Sequence, residues 1–188
     1  MTSIMIVGVG GQGTLLASRL LGAAFLSQGY DVKVSEVHGM SQRGGSVVTY
    51  VKFGEAIASP IIDEGEADFI LAFEQLEAAR WLPFLKPGGK LIVNTQRIDP
   101  MPVVTGAAEY PQGIVEALAA ANVSVQALDA LALAEQSGSA RAVNVVLLGA
   151  LARQMDIPKA VWLEAVRGTV KAQFAEMNLK AFELGWGA

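Results

Sequence analysis

At 188 residues the chain is long enough for one complete hydrophobic core. Its net charge of −4 at pH 7, without a basic stripe or an RNA-binding motif, excludes a nucleic-acid-binding class. The absence of cysteine excludes disulfides, cysteine-ligated iron–sulfur clusters and thiol chemistry on this chain.

Hydrophobic residues reach 52% against 17% charged, a balance poor in charge for a free monomer. No apolar run attains the roughly 18 residues that a membrane span needs, and the longest, at 142–152, contains Asn144 and is flanked by Arg141 and Arg153. A large subunit interface is therefore the expected cover for the surplus apolar surface. The first apolar run breaks at Gly8, too early for a secretory signal, which makes the cytoplasm the expected compartment.

In chain order, residues 4–9 form a near-continuous apolar strand of the buried parallel type. A helix follows over 12–28, with Leu16, Leu20, Ala24 and Phe25 on one side and Gly29 as its stop. Strands are predicted at 31–37 and 46–53, the latter rich in Val, Thr and Tyr. Gly54-Glu55 is read as a turn into a short strand at 56–59, a hairpin that would make the sheet mixed.

Further on, strand 67–73, helix 74–85 and strand 90–94 follow, the helix stopped by Lys86-Pro87-Gly88-Gly89. Pro100, Pro102 and Pro111 make 95–111 an irregular connection with one short strand at Val103-Val104. Then come a helix at 112–121, a strand at 123–127 and helices at 128–136, 141–154, 159–167 and 170–184. The alternation predicts a single domain over 1–188. Its fold class is α/β, a three-layer, Rossmann-like sandwich with a mostly parallel sheet and a helical C-terminal third.

Two glycine-rich segments carry the chemistry. Gly8-Val9-Gly10-Gly11-Gln12-Gly13 is a G-x-G-x-x-G turn between a strand and a helix. Gly8 suits a tight turn, Gly10 the approach of a ligand, and Gly13 the packing of helix on strand. A dinucleotide, another phosphorylated ligand, or a close-packed turn with no ligand all satisfy it. Glu36 stands near the place of the ribose-binding acid of a dinucleotide fold, but it runs straight into the second segment, His38-Gly39-Met40-Ser41-Gln42-Arg43-Gly44-Gly45. There Arg43 suits a phosphate or carboxylate, or a partner's carboxylate across an interface. His38 is the only histidine, and no second histidine or cysteine supports a transition-metal site. Ser41 and His38 with Asp31 have the residue types of a hydrolase triad, but no nucleophile-elbow pattern surrounds Ser41.

Gly8–Gly13 and the run Ser35-Glu36-Val37-His38-Gly39-Met40-Ser41-Gln42-Arg43-Gly44-Gly45-Ser46-Val47 resemble the gamma-type subunit family of 2-oxoacid:ferredoxin oxidoreductases. Phe73-Glu74-Gln75-Leu76-Glu77-Ala78, Asn94-Thr95 and the apolar helix around Asn144 extend the resemblance over nearly the whole chain. The second loop favours the indolepyruvate (arylpyruvate) branch over the pyruvate and 2-oxoglutarate branches.

The resemblance implies a subunit of an enzyme that oxidatively decarboxylates a 2-oxoacid to an acyl-CoA, carbon dioxide and reduced ferredoxin. Thiamine diphosphate and iron–sulfur clusters are then expected on a large partner subunit, since this chain lacks both cysteine and the Gly-Asp-Gly start of a thiamine-diphosphate motif. No catalytic residue is assigned to this chain. Its candidate cofactor-binding residues are Gly8, Gly10, Gly11, Gln12, Gly13, His38, Ser41, Gln42 and Arg43, with coenzyme A phosphates as the ligand group. A structural or regulatory subunit with vestigial loops, and a free-standing NAD(P)-binding protein, are the alternatives. The isolated chain is expected to self-associate through its uncovered interface.

Overall fold

The computed structural model describes residues 1–36, 44–121 and 123–188. Six strands form one sheet: β1 (Thr2–Val9), β2 (Asp31–Glu36), β3 (Ser46–Gly54), β4 (Ala67–Ala72), β5 (Leu85–Asn94) and β6 (Ser124–Leu128). Their order is β2-β3-β1-β4-β5-β6. β1, β4, β5 and β6 run parallel, and β3 lies antiparallel between β1 and β2.

Alternation along β1 sorts the two faces. Ile4 and Ile6 point to one core, Met5 and Val7 to the other. The first face carries α1 (Thr14–Ser27), α5 (Ala130–Ser137), α6 (Val143–Ala152), α7 (Lys159–Thr169) and α8 (Ala175–Gly187). α2 (Gln75–Trp81) and α4 (Ile114–Ala120) cover the other, and α3 (Met101–Val104) is one turn in the connection after β5. Sheet and two helical layers make the expected three-layer sandwich.

The expected hairpin is real but lies elsewhere. β2 and β3 pair around the 37–45 segment, with Asp31 opposite Gly54 and Glu36 opposite Thr49. Residues 56–59 are not a strand. Asp31 Oδ2 accepts the Ile57 N–H at 2.8 Å, and Ile57 is buried, so the chain wraps past the end of the sheet instead of turning back along it. Val103-Val104 is likewise helical: Pro100 O accepts the N–H groups of both. The helix after β4 stops at Trp81, and a 3-10 turn over Leu82–Phe84 leads into β5 five residues before the expected start.

The apolar run at 142–152 finds its cover inside the chain. All ten residues of α6 are buried, between the sheet and helices α1, α5 and α8. A helix hydrophobic all round is a central helix, and this one accounts for much of the chain's high mean hydropathy. Among the described residues, no helix is long and apolar enough to cross a membrane.

Candidate functional site

β1 is followed by α1 on one face of the sheet, and β4 by α2 on the other. Strand order therefore reverses between β1 and β4, and the crevice at their carboxyl ends is where open α/β sheets place ligands. The glycine turn sits at this crevice. Gly11 and Gly13 have φ of +99° and +86°, a left-handed backbone in which a side chain would be strained. Gly13 is the N-cap of α1 and offers no capping side chain. A Cβ on Gly13 would lie 2.6 Å from Asn144 Nδ2, so its close neighbour is α6 rather than the expected strand. Among the described residues, no acceptor meets the backbone N–H groups of Gly13, Thr14 and Leu15.

Gln12 fills the crevice. Its Oε1 accepts the Val9 N–H at 2.7 Å, and its Nε2 donates to Phe73 O at 3.0 Å and to Gln96 Oε1 at 3.4 Å. Asn94 Nδ2 donates to the same two oxygens at 3.1 and 3.3 Å, while Asn94 Oδ1 accepts the Ala130 N–H at 3.2 Å. These amides pin the ends of β1, β4 and β5 and the start of α5. Gly8 must be small here, since a Cβ would meet Gln12 Oε1 at 2.8 Å and Phe73 Cβ at 2.9 Å.

The open space lies on the other side of the turn. A cavity of about 260 Å³ is lined by Gly10, Gly11, Gly13, Thr14, Leu15, Val47 and Thr49, between the start of α1 and the start of β3. The second glycine-rich segment ends beside it, where Gly10 donates its N–H to Gly45 O at 2.9 Å. The structure thus joins the two segments at their glycines. His38, Ser41, Gln42 and Arg43 lie outside the described residues.

This arrangement departs from a dinucleotide site in two respects. β3 takes the place beside β1, which puts β2 two strands away, about 9–10 Å. Glu36 at its end accepts the Ser18 hydroxyl at 2.7 Å and is thereby tied to α1. Asp31, at the far end of β2, is held by Lys33 Nζ at 2.6 Å and by the Ile57 N–H, which commits it away from a triad.

Two buried carboxylates, one capping α2 and one in its first turn, brace the site and escaped the residue-by-residue reading of the sequence. Glu77 accepts the Ser46 hydroxyl, Trp81 Nε1 at 3.3 Å and Arg80 Nε at 3.1 Å, anchoring the start of β3. Glu74 caps α2 through the Glu77 N–H at 3.0 Å and accepts the Ile98 N–H at 3.2 Å and the Tyr110 hydroxyl. The Arg97 guanidinium lies 4.3 Å from the Tyr110 ring centroid. An acid directly after a strand with a second acid three residues on is a helix-start signal, and it was the available clue.

Burial, then the bond to Glu74, raises the Tyr110 pKa well above its ordinary 10.0. The folded chain holds this proton where the unfolded chain releases it, so stability present below pH 10 is lost as pH rises beyond it. Absorbance titration at 295 nm is expected to show one of the three tyrosines ionising last, only with unfolding, and Tyr110→Phe should remove that step. A Tyr110 that ionises with the other two would contradict the assignment.

Among the described residues, no group of three or more His, Cys, Asp or Glu is placed to hold a metal ion. With no cysteine in the sequence and one histidine, the donor set does not fit an iron–sulfur cluster.

The family model of pyruvate ferredoxin/flavodoxin oxidoreductase matches residues 3–188. Indolepyruvate oxidoreductase subunit IorB of Pyrococcus horikoshii is 44% identical, over 97% of this chain and 93% of its own length. The crystal structure of a keto/oxoacid ferredoxin oxidoreductase gamma subunit from Geobacter sulfurreducens superposes with a TM-score of 0.74 at 25% identity, covering 100% of this chain and 97% of that one. The 2-oxoglutarate:ferredoxin oxidoreductase of Magnetococcus marinus, solved with 2-oxoglutarate, coenzyme A and succinyl-CoA bound, shares the fold over 99% of this chain and 30% of its own, with a TM-score of 0.72 at 22% identity. The chain belongs to the pyruvate ferredoxin/flavodoxin oxidoreductase family, as a gamma-type subunit of an oxoacid oxidoreductase.

Proposed function

We propose that this chain is the small subunit of a cytoplasmic indolepyruvate (arylpyruvate) ferredoxin oxidoreductase, acting as one gamma-type domain over residues 1–188. The observation that carries the reading is the 44% identity to an indolepyruvate oxidoreductase subunit over nearly the full length of both chains. The thiamine-diphosphate and iron–sulfur chemistry belongs to a large partner subunit, because this chain has no cysteine to ligate a cluster. Ferredoxin meets the complex through that partner.

The contribution of this chain is binding rather than bond-making. The uncapped amides at the start of α1 and the cavity beside them suit the phosphates of coenzyme A. Arg43, at the end of the segment that reaches Gly10 through Gly45, supplies the matching guanidinium. Exposed apolar side chains at Leu26, Val34, Met101 and Val104 await the partner, and in its absence they favour self-association.

The test is co-purification followed by assay. A tagged chain drawn from its native extract is expected to bring down a large, cysteine-rich subunit in a brown complex that reduces ferredoxin with indolepyruvate and coenzyme A. In that complex Arg43→Ala should raise the KM for coenzyme A while leaving that for the oxoacid in place. A colourless, partner-free chain would overturn the subunit reading, and an unchanged KM for coenzyme A would remove Arg43 from it.

A further inference from the structure

β2 is the outermost strand of the sheet, bonded to β3 on one side and, among the described residues, to no strand on the other. Such an edge is a template for pairing with another chain. Its side chains alternate between two faces. Tyr30, just before the strand, Val32 and Val34 are on the α1 side. Tyr30 packs edge-on against Phe53 at 5.2 Å, and Val32 and Val34 line an open groove of about 600 Å³ with Ala23 and Leu26 of α1. Tyr30, Val34 and Leu26 are 37%, 41% and 61% exposed, so this side of the edge is apolar and open to solvent. Asp31 and Lys33 are on the opposite face, with Lys33 Nζ 2.6 Å from Asp31 Oδ1.

We propose that β2 pairs antiparallel with β2 of a second copy of this chain, about a two-fold axis through Val32, so that two six-stranded sheets become one. In that register Val32 stands opposite the copy's Val32, and Tyr30 and Val34 stand opposite the copy's Val34 and Tyr30. Leu26, beside Val32 in the groove, flanks the axis from both copies. On the other face Asp31 meets the copy's Lys33, and Lys33 the copy's Asp31. Four charges then alternate in sign around the axis, each with an opposite charge beside it along its own strand and across the pair. The neighbouring registers lose this match. Centring on Lys33 sets two lysines directly opposite each other, and centring on Val34 sets Val32 against Glu36, an acid already held by Ser18. A lysine on an edge strand ordinarily discourages pairing, and here the acid two residues before it makes it select one register. The inference deepens the self-association reading above and rests on it for the occupant, a second copy. Met101 and Val104, on α3 after β5, lie outside this surface and are left to the large subunit.

Sedimentation velocity of the full chain over a range of concentrations tests this, and is expected to show a monomer–dimer equilibrium. Lys33→Asp places four acids around the axis and should raise the dimer Kd about tenfold or more. Asp31→Lys places four lysines there and should do the same, whereas an equal mixture of the two variants should dimerise, since each then supplies the charge that the other lacks. Asp31→Lys also loses the bond to the Ile57 N–H, so cross-linking provides a second measurement that does not depend on its folding. The chain has no cysteine, and Val32→Cys would put its only thiol opposite itself, within the Cα separation that a disulfide spans. Val34→Cys would leave the two thiols about 14 Å apart along the strands. Oxidation is therefore expected to give a covalent dimer from Val32→Cys and not from Val34→Cys. A wild-type chain that stays monomeric, a dimer indifferent to Lys33→Asp, or faster cross-linking through Val34→Cys overturns the inference. A monomeric chain that still brings down its large subunit leaves the subunit reading standing, and a chain that dimerises through β2 but brings down no partner leaves this inference standing without it.

Discussion

Replacing Gly185 by alanine is expected to lower the melting temperature by about 10 °C or more, on a cost of about 4 kcal/mol and about 2–4 °C per kcal/mol for a domain of this size. The reason is backbone against backbone. A Cβ on Gly185 of α8 would stand 1.8 Å from Val146 O of α6, and one on Gly149 of α6 would stand 2.2 Å from Phe182 O of α8. Each glycine lets the other helix's main chain come close, so the contact is reciprocal. A flexible side chain could yield, but a carbonyl inside a helix cannot without moving the helix. α6 has nowhere to go, because its opposite side lies on the sheet and all ten of its residues are buried. Gly22→Ala is the control with the opposite sign. It lies within α1, and a Cβ there meets nothing within 4 Å. A mid-helix glycine costs about 0.5–1 kcal/mol against alanine, so this variant should melt slightly higher than wild type. Thermal unfolding followed by circular dichroism reads both. A Gly185→Ala protein melting within a few degrees of wild type would mean that the two helices can separate freely.

The α6–α8 contact shows which parts of the fold could be read without coordinates. Residues 4–9 and 12–28 declare themselves because local signals agree: an apolar run, a glycine turn, helical spacing and a glycine stop. The stop is confirmed in detail, with Gly29 at φ +81° donating to Leu26 O. The insertion of β3 between β1 and β2 has no local signal, since an apolar strand does not state its neighbour. That choice moved the hairpin from 46–59 to 31–54 and put β2 two strands from the glycine turn. Proline content marked 95–111 as irregular, but its fastening depends on Glu74 reaching Tyr110 across 36 positions. The same limit holds at the site. The glycines were legible as backbone requirements, while Thr49 passes in sequence for an ordinary strand residue. Only its place beside the cavity distinguishes it.

Gln12 is the side chain on which the turn depends most directly, and two substitutions separate its packing from its charge pattern. Gln12→Ala leaves the Val9 N–H without its side-chain acceptor and removes the ties to Phe73 O and Gln96, at a cost of about 1–3 kcal/mol. Gln12→Glu keeps the shape but replaces the donating nitrogen by an oxygen. That oxygen would face Phe73 O and Gln96 Oε1, both acceptors, where the amide now donates at 3.0 and 3.4 Å. An ionised carboxylate against two oxygens is repelled, so the folded-state pKa of the introduced glutamate must rise. A raised carboxyl pKa means that the folded chain binds the extra proton, and stability falls as pH rises. Gln12→Glu is therefore expected to be less stable than Gln12→Ala at pH 7, by about 1 kcal/mol, and to recover toward wild type as pH falls to about 4, near the ordinary glutamate value, where the protonated acid donates to Phe73 O. Urea unfolding of wild type and both variants at pH 7 and pH 4 measures the crossing. A deficit for Gln12→Glu that is the same at both pH values would mean that the side chain points away from Phe73. The same geometry explains why a G-x-G-x-x-G turn need not hold a dinucleotide. The crevice where the strand order reverses is filled by this protein's own amide, and the accessible donors face β3.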